Sequence, residues 1–123
     1  MLAKKNRFNL SEEKNSRLFS SSERFSTNSL LFYYRTNDSW LRVSAIAPSK
    51  LFNKASQRNK KRRLIYNLIN KIAKKSTETK KQDLLKEKLD LIIVYKTSNI
   101  KEKNIEKDLN LFLEKNIKKN EIL

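Results

Sequence analysis

Between Leu64 and Ile72 the apolar residues Leu64, Ile65, Leu68, Ile69 and Ile72 recur at the spacing of one helix face, and at 100° per residue they fall within about 140° of arc. This is the strongest helical pattern in the chain. It predicts a helix from Lys54 to about Lys75 that lays a single stripe on a core. Immediately before the stripe stands Arg58-Asn59-Lys60-Lys61-Arg62-Arg63, where five of six residues are cationic and no acid sits beside them. By the same angular count Lys60, Arg63 and Lys74 point away from the core. Arg58, Lys61 and Arg62 lie nearer the bearing of the stripe but precede its first apolar residue, so they are expected to project from an N-terminal extension beyond the core. A helix favours acids, not cations, in its first turns, because its dipole is positive there. Charge placed against the interest of the helix implies a partner.

The charge of the whole chain has the same centre. Of a net +16, residues 1–38 carry 7 basic and 4 acidic side chains, residues 39–77 carry 11 basic and none acidic, and residues 78–123 carry 11 basic and 9 acidic. A localised positive field of this kind suits a compact polyanion. With 123 residues the chain suffices for one domain with a modest core. Cysteine and histidine are absent, which excludes disulfides, zinc sites of the Cys/His kind and catalysis by thiolate or imidazole. The first residues, MLAKKNRFNLSEEK, lack an apolar signal region, and the longest apolar runs, LLFYY and LDLIIVY, are far shorter than a membrane span. The expectation is a soluble cytoplasmic protein with no membrane partner. Glycine is absent and Pro48 is the single proline, so Asn and Ser must serve at turns.

Along the chain, residues 1–8 read as a basic, flexible arm. Asn9 followed by Glu12 resembles a capping box, predicting a short helix from about Leu10 to Ser20. SSSERF reads as a connection. SLLFYYR (29–35) is a strand, Thr36-Asn37-Asp38-Ser39 a turn, and WLRVSAIA (40–47) the second arm of a hairpin. Pro48 then ends the ladder, having no N–H to offer. After the polar stretch 76–88, LDLIIVY (89–95) is a buried strand, and a last helix spans about Lys101 to Asn116 with Ile105, Leu109, Phe112 and Leu113 on one face. Residues 117–123 form a tail. The order describes a small α+β domain over residues 9–116. Strand alternation puts Leu30, Phe32 and Tyr34 in the core and Tyr33 on the other face. Phe25, Trp40 and Phe112 are assigned to packing. Asp83, Glu87 and Asp90 stand among lysines and read as solubilising acids, not as a metal site. No catalytic constellation is visible.

The basic run and its placement resemble the protein component of bacterial ribonuclease P. That family opens its central helix with Arg-Asn-Arg, a variable residue, Lys-Arg, two more residues and Arg. Arg58, Asn59 and Arg63 match outright, Lys60 and Arg62 exchange one cation for another, and Tyr66 stands where the family has its last arginine. SKLFNKA, with Lys50 and Lys54, resembles the segment leading into that helix. SRLFSSSERFSTNSLLFYY looks like the first helix and following strands of the family, with Asn15 at a place where an aromatic is common. LDLIIVY and NIEKDLNLFLEK look like its last strand and helix. Roughly residues 7–116 can be followed.

The resemblance implies a small sandwich of a mixed sheet with three helices and a left-handed strand–helix–strand crossover, against the usual hand. It implies a subunit of an endoribonuclease whose catalytic centre lies in a large RNA acting with magnesium ions. The protein itself would hold no cofactor or metal and need no obligate protein partner. It would bind that RNA and the 5′ leader of precursor tRNA. Arg58, Asn59, Lys60, Arg62, Arg63, Lys50 and Lys54 would contact RNA, the guanidinium groups donating paired hydrogen bonds to phosphates. Asn59 can read a base edge or brace the backbone. Phe19 and Tyr33 would line a cleft for the leader by stacking on bases, although periodicity alone equally allows them in the core. A structural protein on ribosomal RNA would show the same electrostatics.

Overall fold

The computed structural model describes residues 6–7, 23–78, 88–98 and 101–116. The predicted helix at 10–20, Asn15, Phe19, Asp83, Glu87 and the tail lie outside them. The described elements are β1 (Glu23–Ser26), β2 (Leu30–Thr36), β3 (Arg42–Ile46), α1 (Ala55–Glu78), β4 (Leu89–Tyr95) and α2 (Glu102–Asn116).

The four strands form one mixed sheet in the order β1-β2-β4-β3. β2 is antiparallel to both β1 and β4, whereas β3 runs parallel to β4. Two expectations fail here. SSSERF contains a strand, and β2 with β3 is not a hairpin. The hairpin is β1–β2, closed by Thr27 N donating to Leu30 O at 2.9 Å, with Asn28 and Ser29 at its tip in place of glycine. The Thr36–Ser39 segment does turn: Asn37 Oδ1 accepts from Ser39 N at 2.9 Å. It carries the chain past the place beside β2, which the β-branched and almost wholly buried β4 occupies. A buried central strand releases more apolar surface from water than the partly polar β3 would, so long-range pairing overrides the local hairpin.

Alternation along the strands builds two faces. Leu30, Phe32, Val43, Ala45, Leu91, Ile93 and Tyr95 face the helices, and with Ile65, Leu68, Ile69, Ala73, Ile105, Leu109 and Phe112 they form the core. Phe32 stacks on Phe112 at 4.5 Å, flanked by Phe25 and Tyr34. The packing roles of Phe25 and Phe112 hold. Trp40, in the turn at the end of the sheet, keeps 42% of its surface exposed. Thr27 Oγ1 donates to Asp108 Oδ2 at 2.9 Å, and Lys71 pairs with Glu106 at 3.5 Å, joining α2 to the hairpin and to α1.

The N-terminal residues are also tied down where they are described. Asn6 is buried and donates to Leu41 O at 2.8 Å, and Arg7 bridges to Val43 in parallel at the outer edge of β3. At these two residues the chain is not a loose arm; β3 is an edge strand with unpaired backbone groups, and they cover part of it.

A candidate RNA interface at the start of α1

Pro48 ends β3, and its carbonyl accepts from the backbone of Leu51 and Phe52, both at 3.0 Å. This turn buries Phe52 and aims the chain into α1, whose first hydrogen bond runs from Arg58 N to Lys54 O at 3.1 Å. The first turn of α1 carries no acid.

Behind the basic run stands an aromatic post. Tyr95, buried at the end of β4, donates its hydroxyl to Lys61 O at 2.8 Å and meets Phe52 edge-on at 5.4 Å. Lys61 Nζ lies 5.7 Å from the centre of the Phe52 ring, within range of a cation–π attraction. Arg58 turns back, its Nη1 donating to Phe52 O at 2.9 Å and to Asn53 O at 3.1 Å. The start of α1 therefore does not extend beyond the core as expected. Arg58, Lys61 and Arg62 are half-buried, since Phe52 and Tyr95 carry the core beneath them. Arg62 donates to Asn59 Oδ1. Asn59, Lys60, Arg63, Lys50 and Lys54 are exposed. Among the described residues, none of these cations has a carboxylate partner.

Other cations behave differently. On the second face of the sheet Arg35, Asp90 and Arg42 stand in one cross-strand row. Asp90 is only 3% exposed. It accepts from Arg42 Nε at 2.7 Å and Nη2 at 2.9 Å, and from Asn37 Nδ2 at 2.8 Å, with Arg35 Nη2 at 3.6 Å. Asp90 is thus not a solubilising surface acid; β4 is central, so a carboxylate there is buried and must be paired. Tyr33 lies two residues along the same face, half-buried, with Arg24 and Ile92 opposite it in register. Ile92 is buried although it lies outside the main core. Tyr66, in the place of the last arginine of the motif, is half-buried, and its hydroxyl accepts from Ala45 N at 3.1 Å.

No group of His, Cys, Asp or Glu that could hold a metal ion occurs among the described residues, and no described helix is long and apolar enough to cross a membrane. What the site offers is a rigidly backed, acid-free set of hydrogen-bond donors. The family model described as Ribonuclease P matches residues 2–116. The chain belongs to the ribonuclease P protein family. It is a subunit of the ribonuclease P ribonucleoprotein, which matures the 5′ ends of tRNA, and as such it associates with the ribonuclease P RNA.

Solved structures share the fold. The RNase P protein from Thermotoga maritima matches with a TM-score of 0.67 and 15% identity over 89% of this chain and 96% of that one. The Staphylococcus aureus RNase P protein matches with a TM-score of 0.63 and 16% identity over 89% and 93%. Comparison with curated proteins finds no match. At this low identity the shared feature is the fold, an α+β architecture with a mixed four-stranded sheet.

Periodicity placed the helix but missed Phe52 and Tyr95 beneath its first turns and Arg7 beside Tyr66. The signal for Tyr95 was a polar hydroxyl at the end of the apolar run Leu91–Val94, which calls for a partner when buried. Nothing local marked Arg7.

Proposed function

We propose that the start of α1 is the surface that grips the RNA subunit, and that the second face of the sheet around Tyr33 receives the single-stranded 5′ leader of precursor tRNA. The observation that carries the first half is the acid-free cluster Asn59, Lys60, Arg62 and Arg63 on a helix start fixed from behind by Tyr95 and Phe52. Rigid placement leaves little side-chain and backbone freedom to lose on binding a polyanion. Lys50 and Lys54 extend the field, and Arg58 adds charge while its Nη1 serves the loop. In the second half Tyr33, with Phe19, supplies π-faces that every base can use. The catalytic centre resides in the RNA with its magnesium ions, and this chain contributes binding. The same reading includes a first helix over residues 10–20, a left-handed β3–α1–β4 crossover, a cytoplasmic setting and no obligate protein partner.

Reconstitution tests it. The protein mixed with a bacterial ribonuclease P RNA and precursor tRNA at low magnesium should restore removal of the leader. Cleavage no better than with RNA alone, beside tight binding to ribosomal RNA, would favour a structural role on the ribosome. For the leader, Tyr33→Leu should weaken binding of precursor tRNA by roughly 1–3 kcal/mol per base unstacked and leave mature tRNA unaffected. Equal losses for both would return Tyr33 to a packing role.

A further inference from the structure

Arg58, Arg62 and Tyr66 are spaced four residues apart on α1, so their side chains form one ridge with steps of about 6 Å along the axis. The third place on this ridge is an aromatic ring, yet a guanidinium lies on it. Arg7 carries its charged carbon 5.9 Å from the centre of the Tyr66 ring. It is brought there by three ties that residues remote in sequence make with the edge of the sheet. Asn6 Nδ2 donates to Leu41 O at 2.8 Å, Arg7 bridges to Val43, and the Tyr66 hydroxyl accepts from Ala45 N at 3.1 Å.

Among the described residues no carboxylate pairs with this charge. Arg7 Nε is buried without a hydrogen-bond partner, and residues 39–77 contain no acid. A half-buried guanidinium whose described partner is a ring face is costly in the free protein; an anion at the exposed part of the group offsets that cost. The cation–π contact with Tyr66 holds the guanidinium in place, and the donors left on its exposed part suit a phosphate.

We propose that Arg7 is a further phosphate-binding residue of the RNA interface, delivered by the N-terminal segment onto Tyr66 to complete the row begun by Arg58 and Arg62. This rests on the reading of α1 as the surface that grips the RNA subunit.

The test compares wild type, Arg7→Gln, Arg7→Lys and Arg63→Gln in binding to a bacterial ribonuclease P RNA across a salt series, with melting curves for each. Arg7→Gln should lower the log–log salt slope by about 0.7–0.9, which from equal binding at 1 M salt is about five- to eightfold weaker binding at 0.1 M. Arg7→Lys should keep the slope near wild type while losing part of the affinity. If Arg7→Gln also melts earlier, the difference in slope between Arg7→Lys and Arg7→Gln decides, since a purely structural arginine leaves it at zero. A reduced slope for Arg63→Gln with an unchanged one for Arg7→Gln overturns the role of Arg7 and leaves the reading of α1 standing. A wild type that fails to bind this RNA overturns both.

Discussion

Two clusters of arginine lie on this small domain, and they differ in one residue type. At the far end of the sheet Arg35 and Arg42 flank Asp90, a carboxylate buried on the central strand and bonded by Arg42 and Asn37. At the start of α1, whose backbone rests on an aromatic post, Lys60, Arg62 and Arg63 have no described carboxylate partner. The first cluster is closed within the protein: its charges satisfy a buried acid and stabilise the sheet. The second is open: backbone carbonyls hold Arg58, the Phe52 ring faces Lys61 and the Asn59 amide oxygen accepts from Arg62, and none of these neutralises a charge. The lesson is that a cation is assigned by what faces it. Arginine density alone would rank the two regions together.

The largest effect expected from this contrast comes from opening the closed cluster. Asp90→Ala leaves Arg42 without its bidentate acceptor and Asn37 Nδ2 with only Trp40 O. The loss should reach about 3 kcal/mol, at the low end of the cost of breaking a buried pair, because Arg42 can still reach water. Chemical denaturation measures it. Binding to the RNA subunit, per folded molecule, should stay within twofold of wild type. A comparable fall in RNA affinity with intact stability would show that the sheet end is itself an RNA site.

Removing charge from the open cluster should act on binding instead. The double variant Arg62→Gln/Arg63→Gln should reduce the salt slope for the RNA subunit by about 1.4–1.8, two contacts at the usual increment, with the melting temperature unmoved. Arg58→Gln should behave as a hybrid. It forfeits hydrogen bonds to Phe52 O and Asn53 O, worth about 1–2 kcal/mol of stability, as well as a charge. An unchanged slope in the double variant would mean that these side chains are merely solvated.

The smallest effect concerns the post. Tyr95→Phe removes the bond to Lys61 O and should cost about 1 kcal/mol. It should also change the alkaline limb of stability. Burial pushes the Tyr95 hydroxyl well above its ordinary value of 10.0, and burial followed by the Glu23 carboxylate raises Tyr34. The unfolded phenols ionise first, so this contribution is complete below about pH 10 and is lost as pH rises beyond it. Wild type should therefore lose stability above pH 10 more steeply than Tyr95→Phe. Denaturant midpoints from pH 8 to 11 check it, and parallel curves for the two proteins would contradict the assignment.

Much of this was legible in the residues. The stripe from Leu64 to Ile72 placed α1, and Ile65, Leu68 and Ile69 are buried as its spacing requires. The apolar run 89–95 is the central strand, and Ile105, Leu109 and Phe112 line the inner side of α2. The absence of acid over residues 39–77 located the open cluster before any fold was known. The misreadings share one origin. The supposed hairpin of residues 29–35 with 40–47 and the solubilising role given to Asp90 both concern partners distant in the chain.

The chain by itself determined the type of its long elements and the position of its charge, because helical periodicity, β-branched density and missing acids are local properties that short segments carry with them. Only the tertiary structure decided which strand lies between which, and with it which cations are spent. The insertion of β4 between β2 and β3 buries Asp90 against Arg42, puts Tyr95 under Lys61, and exposes an edge of β3 on which Asn6 and Arg7 settle. Such pairings follow from the burial of a whole strand, a free energy summed over the sheet, and no local pattern encodes it.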